Sequence, residues 1–520
     1  MSGSYAESIS AAPSAFAEAH AFARETEQTL TSPGLLCAEH FEVEAFVERS
    51  GREWARRMLD GQFALRGACE QRVRVVGSDG AERTSSRESA RHLETLVGEV
   101  AAPRLAYQEP GHLDLHPLDA QLNLPTTDGF SHGVRRFVAM EAARSSYDEA
   151  VATIRERSGA TISKRQVEQL AVRASEDFDA FYALRRHERL LTSDILVIST
   201  DGKGIVVRPQ DLREDTRKRA EKAVRKVETR LTPGQKRDRK RIAQVATVYD
   251  VATWKRTAAE VLHTLRDDET ERARPKPTRK RVFASVKKSH VAVIREAFDE
   301  AQRRDPEHRR RWVVLVDGDA KQLDAVKAEA KRVGVEVTIV ADIVHVLEYV
   351  WKAARAIFGE TSPQAESWVG DRFLGLLTGR TGGDVAKTIR WKAEQRDDDL
   401  DDSRRAAIKK ACGYLANRTR TRLMHYDEYL ADGLPISTGV IEGACRYLVK
   451  DRMDRTGARW SLTGADAVLR LRALRASGDF DDYWHFHLAR EKERNHASRY
   501  ANAEIPNPLP VRRGHLRRIK

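Results

Sequence analysis

The chain has 520 residues, 41% of them hydrophobic and 32% charged, which bounds a soluble globular protein of two to four domains. No stretch approaches the roughly 18 consecutive apolar residues that a membrane helix needs, and the opening MSGSYAESISAAPSAFAEAHAFARETEQ lacks the basic flank and apolar block of a secretion signal, so a cytoplasmic location is expected. Lysine and arginine outnumber the acids 91 to 78, a formal charge of +13 that suits a polyanionic partner, although charge alone names no ligand.

In chain order, residues 1 to about 100 read as mainly helical, with Phe46, Trp54, Met58 and Leu59 near helical spacing. Cys37 and Cys69 there, like Cys412 and Cys445 later, form no CxxC pair and read as reduced thiols, not as a zinc site or a disulfide framework. A loop-rich stretch follows, ending in HPLDAQLNLP (116–125), whose two prolines interrupt regular structure. Residues 147–178 then offer an amphipathic helix, a turn at Gly159 and a second helix capped by Ser163. That second helix carries Lys164, Arg165 and Gln169 outward, with Val167, Leu170 and Val172 available to pack. The pair has the form of a helix-turn-helix reader of the major groove, an ordinary helical hairpin being the alternative.

The period then changes. DILVIST (194–200) ends at Asp201; with the turn Gly202-Lys203-Gly204 and IVVRP (205–209) it predicts a β-hairpin. Further strands are expected at QVATVYDVATW (244–254), RWVVLVDGD (311–319) and VEVTIVAD (335–342), with helices at 291–304 and at AKQLDAVKAEAKRVG, the latter closed by Gly334. Three strands, helix, strand, helix, strand is the order of a mixed sheet covered by helices, found in both the ribonuclease H-like and the actin-like kinase folds. From Ile343 to about Leu430 the pattern is helical without strands; helices follow at TGVIEGACRYLVKDRM and at 464–477, then a basic tail. Two basic runs, net +8 over 208–241 and net +7 over 271–288, flank one strand and predict phosphate-contacting surface, including Lys236, Arg237, Arg239, Lys240 and Arg241.

Asp201 and Asp317 each follow an apolar strand and precede glycine, in VISTDGKG and VLVDGDAK. Neighbouring strands would bring the two acids to one sheet rim, where they repel unless a cation shields them. All-oxygen ligands suit Mg²⁺ or Mn²⁺, and two such ions serve in-line phosphodiester displacement. A third acid is needed. Glu442, in the first turn of a helix, is the choice, with Glu428 and Asp432 as rivals; Asp319 competes with Asp317.

From about Leu105 to Leu474 the sequence resembles the DDE insertion-sequence transposases of the ISKra type. The resemblance rests on HPLDAQLNLP, STDGKGIVVR (199–208), KRDRKRIAQVATVYDVAT (236–253), WVVLVDGDAKQL (312–323), ADIVHVLEYVW (341–351), STGVIEGACRYLVKDRM (437–453) and TGARWS (456–461). It implies Asp201, Asp317 and Glu442 as catalytic residues and metal ligands, two Mg²⁺ or Mn²⁺ ions, and a helical domain inserted before Glu442. Asp342 and His345 match a D-x-x-H element, His345 positioning DNA or standing as a structural histidine. Arg446 and Lys450, near Glu442, are possible phosphate contacts, and Trp460 is a candidate for stacking on a displaced base or for the core. Relatives often carry a cysteine pair before the HPLD block; AYQEPGHLDLHPLD has none, so no zinc is expected.

The expectation is therefore an α/β protein: a ribonuclease H-like five-stranded mixed sheet interrupted by an all-α insertion, with an N-terminal mainly helical DNA-binding region. The domains run 1–132 (helical and loop-rich), 133–190 (helix-turn-helix-like), 191–345 (core), 346–435 (insertion), 436–478 (final core helices) and 479–520 (basic tail). The expected function is a nucleoid-associated transposase that binds terminal inverted repeats in double-stranded DNA as a homodimer or larger homo-oligomer, then hydrolyses and transfers strands. A nuclease or resolvase without strand transfer and an actin-like phosphotransferase are the alternatives. The second calls for a Gly-rich adenosine-binding turn, for which only Gly382-Gly383 offers itself, inside helical sequence. A non-catalytic DNA-binding derivative would have no need of all three acids.

Overall fold

The computed structural model describes residues 15–187, 192–222, 239–265, 273–396, 400–454 and 458–509. The chain divides into two compact units, one of residues 1–183 with 480–520 and one of residues 184–479.

The first unit opens with helices α1 (Ala17–Leu30) and α2 (His40–Ala68), the latter started by a reciprocal Glu39–Glu42 capping box. An antiparallel pair follows, β1 (Ser85–Thr95) and β2 (Gly98–Gln108), in register from Ser85–Gln108 to Thr95–Gly98. This hairpin lies within the region 1–132, expected to be helical and loop-rich without strands. Its strands alternate only weakly, because α2 covers part of the hairpin and the rest faces water. The HPLD segment, expected to be irregular, forms a short helix (Pro117–Leu122) with proline at its first turn, where a missing N–H costs nothing.

Helices α3 (His132–Arg144), α4 (Tyr147–Ser158), α5 (Lys164–Ala174) and α6 (Phe178–Leu184) follow. Gly159 closes α4 in the left-handed conformation (φ 73°), and Ser163 caps α5 in a box with Gln166. Val167 and Leu170 are buried, while Lys164, Arg165 and Gln169 are exposed. Residues 480–509 are not a tail. They form a helix (Phe480–Asn495) with buried Phe480, Tyr483, Trp484, His487 and Glu491, and Tyr500 joins a core of Val75, Tyr107, Leu115 and Ala120.

The second unit is built on a five-stranded mixed sheet of β3 (Ile195–Val206), β4 (Lys240–Val251), β5 (Thr278–Ser285), β6 (Trp312–Val316) and β7 (Val337–Ala341). Their order is β5-β4-β3-β6-β7. β4 runs antiparallel to β3 and β5, whereas β3, β6 and β7 are parallel. The helix α7 (Glu214–Lys222) lies between β3 and β4, α8 (Ala258–Leu265) between β4 and β5, α9 (His290–Arg304) before β6, and α10 (Ala320–Val333) between β6 and β7.

The expected hairpin at 194–209 is one continuous strand. β4 pairs with β3 over its whole length, from Ile195–Val251 to Val206–Lys240, so no turn forms at Gly202-Lys203-Gly204. The glycines instead leave room for β4: a Cβ on Gly202 would lie 2.8 Å from the Ile242 side chain, and one on Gly204 2.8 Å from that of Lys240. The strand count of five holds because TRKRVFAS, inside the second basic run, supplies β5.

After β7 the chain is helical among the described residues: α11 (Ile343–Phe358), α12 (Pro363–Leu377), α13 (Gly382–Glu394), α14 (Asp402–Arg420) and α15 (Tyr426–Ala431). It returns to the sheet through α16 (Gly439–Ala444), a π-helical stretch (Cys445–Lys450) and α17 (Leu462–Ser477), which packs on β5. No helix among the described residues is long and apolar enough to cross a membrane.

Candidate active site

The parallel register decides which acids meet. β3 and β6 pair from Leu196–Trp312 to Ser199–Leu315, so Asp201 and Asp317 lie opposite each other two residues beyond the last pair. β6 and β7 pair to Val316–Ala341, and the Asp342 N–H continues the ladder to the Val316 carbonyl (2.8 Å), which sets Asp317 opposite Asp342. Three aspartates thus share one line across three adjacent strands about 4.8 Å apart; Asp317 and Asp342 follow the ends of β6 and β7, whereas β3 runs on past Asp201 to Val206. The residues before each acid are mainly apolar, and they are buried along β3 and β6 and at the last two positions of β7.

Asp201 and Asp317 line one cleft of about 240 Å³ together with Asp319, His290, Lys321 and Gln322. The Asp317 carboxylate accepts from the Asp319 N–H (3.0 Å), and the Asp317 carbonyl accepts from the Tyr414 hydroxyl (2.9 Å) of α14. Asp319 caps α10, accepting from the N–H groups of Lys321 (3.0 Å) and Gln322 (3.3 Å). Asp319 thus lines the same cleft as Asp317 while serving as the cap of α10. Gln322 in turn donates to the Thr200 carbonyl and hydroxyl, fixing α10 against β3.

On the other side, Asp342 is fully buried and caps α11 through the Val344 N–H (3.0 Å). The Thr438 hydroxyl also donates to it, as does the Thr438 N–H (3.3 Å). Thr438 immediately precedes α16, so the contact seats the helix that carries Glu442. Asp342, His345 and Glu442 offer ligand atoms within 4.8 Å of one another, and among the described residues they are the one such group of three. The expected trio of Asp201, Asp317 and Glu442 is not drawn together to that limit; Asp201 and Asp317 share the cleft, and Glu442 stands with Asp342 and His345.

Asp201 links the two. Its Oδ1 accepts from the Gly202 N–H (2.6 Å) and its Oδ2 from the Cys445 thiol (3.2 Å), one residue past α16. Desolvation, then the neighbouring Asp342 carboxylate, raise the Glu442 carboxyl above the usual range; His345 and Thr438 oppose the shift and Asp201 adds to it. Burial raises Asp342, opposed by Thr438, the Val344 N–H and His345. Burial and Asp201 push the Cys445 thiol up, so it stays protonated and serves as a donor.

None of the four acids is ion-paired with lysine or arginine among the described residues, in a chain with 91 such cations. Asp342, Glu442 and His345 form a hard, mainly oxygen donor set without a counter-charge, linked through Asp201 to the cleft it shares with Asp317, and this fits a divalent cation of the Mg²⁺ or Mn²⁺ type.

The other expected contact residues divide. Glu442, Arg446 and Lys450 are all exposed, the latter two within the π-helical stretch Cys445–Lys450. Arg239 and Lys240 are half-buried, and Arg241 donates to the carbonyls of Val286 and Asp211. Lys236 and Arg237 lie outside the described residues. Trp460 is not a stacking surface: it is buried, its indole N–H donates to the Met453 carbonyl (3.1 Å), and Arg452 lies over its ring at 4.6 Å. In the second basic run, Arg279 and Arg281 face inward to Asp250, Glu296 and Glu300, and Lys288 pairs with Glu296. They are structural ion pairs and leave only part of that run for a ligand.

Sequence reasoning missed Thr438, Gln322, Cys445, Tyr414 and Arg418. The Arg418 guanidinium closes over Gly318 beside Asp317 and stacks on Tyr414 at 4.8 Å. Both come from α14, a helix read only for its exposed charge. The STGVIEGACRY block contains two of the five, Thr438 and Cys445, and a polar residue four positions before Glu442 was the available signal. Neither the protein-family models nor the curated proteins compared with this chain give a match.

Proposed function

We propose that the protein is a DNA transposase whose second unit is a ribonuclease H-like core that hydrolyses and transfers phosphodiester bonds. The observation that carries the reading is the register line of Asp201, Asp317 and Asp342 across three adjacent parallel strands, with Glu442 brought beside Asp342 by α16. The strand order, three antiparallel strands followed by two parallel ones joined through helices, is compatible with a ribonuclease H-like fold and supports this reading.

Asp201, Asp317, Asp342 and Glu442 would hold divalent metal, with His345 at its edge. When bound, the ions supply charge neutralisation for an attacking water or 3′-hydroxyl and for the leaving oxygen. The chain's own groups do the rest. Thr438 and Cys445 keep Asp342 and Asp201 oriented by donating to them. Arg446 and Lys450 extend from the exposed face that carries Glu442 and attract the phosphate backbone. Helices α4 and α5 supply the reader of the terminal repeats, with Lys164, Arg165 and Gln169 toward the groove. Cutting two ends calls for two copies of the site, hence a homo-oligomer on DNA.

A joining assay tests this against simple hydrolysis. Incubated with Mg²⁺, uncut end DNA and a supercoiled plasmid, the protein should cleave the ends and produce covalent end–plasmid joints. Cleaved ends without joints would assign it to a nuclease instead.

A further inference from the structure

A second cavity of the same unit, about 490 Å³, is unlike the acidic cleft. Its walls are Tyr249 from β4, Trp254 and Arg256 beyond that strand, and Arg274 to Pro277 before β5; Gly439 and Val440, in the first turn of α16, complete it. The helix that presents Glu442 to the metal rim therefore presents its first turn to this cavity.

The lining contains no acidic side chain. Arg256 donates to the carbonyls of Trp254 (2.9 Å) and Leu434 (3.2 Å), and its guanidinium lies 4.9 Å from the centre of the Trp254 ring. Burial, then the like charge of Arg274, lower Arg256 to about 10. Arg274 donates to the Ser437 hydroxyl (3.5 Å), and among the described residues neither Arg274 nor Lys276 has a carboxylate partner. Among the described residues the buried Trp254 indole N–H finds no acceptor. Gly433 lets the chain pass close under this site: a Cβ there would lie 2.8 Å from the Trp254 nitrogen, and the Gly433 carbonyl accepts from the Trp254 N–H (2.9 Å). The tryptophan is thus held from below while its side-chain donor stays unused.

Such a cavity combines flat apolar walls with hydrogen-bond donors and positive charge, and it offers few acceptors. Its volume is within the range of small-ligand sites. A ligand that answers all of these is planar on one part and anionic on another. We propose that this cavity binds one unpaired nucleotide, its base against Trp254 and the Pro275–Pro277 wall and its phosphate at Arg274 and Lys276. Resting on the DNA-processing function above, the site takes an extruded or single-stranded nucleotide beside the catalytic helix. Base stacking on an aromatic ring with arginine support is the general means by which single strands are held.

The test uses the full chain in EDTA, so that binding is read without cleavage. The probes are a 5′-phosphorylated, fluorescein-labelled single-stranded DNA dodecamer and free dAMP. Trp254→Ala should weaken dodecamer binding about tenfold, the effect expected for one stacked base. Trp254→Phe should recover most of it, and Arg274→Gln with Lys276→Gln should reduce both the affinity and its salt dependence. Saturable dAMP binding that is lost in Trp254→Ala assigns the cavity to a nucleotide by itself; Trp254-dependent binding of the dodecamer alone assigns it to a nucleotide within a strand. Dodecamer affinity unchanged in all the variants, with no dAMP binding, overturns the proposal. Asp201→Asn should bind the dodecamer as wild type does. If it does so while the wild-type protein cleaves no DNA with Mg²⁺, the catalytic reading fails and the pocket stands; Asp201-dependent cleavage with no effect at Trp254 gives the reverse.

Discussion

At Gly318 the backbone has φ 89°, and any Cβ there would overlap the Arg418 guanidinium. A left-handed conformation costs a side chain about 1–3 kcal/mol, and the overlap adds to it. Gly318→Ala should therefore displace Asp317 and lower cleavage at least tenfold, with a loss of stability measurable by urea denaturation. Adding Arg418→Ala should restore part of that stability, since it removes the overlap and leaves the strained φ. A different residue sets a pH dependence in the first unit. Burial raises the Glu70 carboxyl from 4.5 to about 7, opposed by the Leu105 N–H that it accepts. The folded state thus holds a proton that the unfolded state has released, and the cost of ionising Glu70 accumulates from pH 4.5 to pH 7. Glu70→Gln should raise the melting temperature at pH 8, with the gain shrinking toward pH 4.5. A gain that grows toward acid would contradict the assignment.

Among the elements, β5 and α9 are joined by buried charge. Glu300 is fully buried and pairs with Arg281 (2.9 Å), Arg303 (3.1 Å), Arg304 (2.8 Å) and His187 (3.0 Å). Asp250, beside a bulge in β4, pairs with Arg310 (2.9 Å) and with Arg279, which has φ 44°. Removing one partner from a buried network leaves its cations uncompensated, at a cost of about 3–5 kcal/mol. Glu300→Gln should show that loss in chemical denaturation, whereas exposed Glu348→Gln should change stability little. These pairs also explain why β5 was hard to read. TRKRVFAS carries arginines at two positions that face partners supplied by α9 and β4, and sequence alone offers those charges to solvent or to DNA. β3, β6 and β7 were legible because their apolar runs are short and end in Asp. The continuity of β3 was hidden, since Gly202-Lys203-Gly204 has turn composition and its straightness comes from β4, forty residues later. The hairpin β1–β2 gave no signal because its faces are only half-buried.

Across the whole chain, the charge that suggested a polyanion is divided between tasks. Part of the second basic run is spent inside the second unit, while Arg446 and Lys450 stay exposed near the acids. The acids themselves were legible unequally. Asp201 and Asp317 follow from strand ends; Asp342 joins them only when the β6–β7 register is counted. Glu442 depends on a helix that returns after a long helical excursion, and Trp254 was passed over because its pocket is assembled from segments near 254, 275 and 439. The central claim is that the four carboxylates form one metal-dependent phosphodiesterase site. Its most direct measurement is cleavage of the element's own end DNA with Mg²⁺, with EDTA, and by Asp201→Asn, Asp317→Asn and Glu442→Gln variants that fold as wild type does. Cleavage should need Mg²⁺ and should fall by at least a thousandfold in each variant. Near-wild-type cleavage by any one of them, or undiminished cleavage in EDTA, would contradict the account.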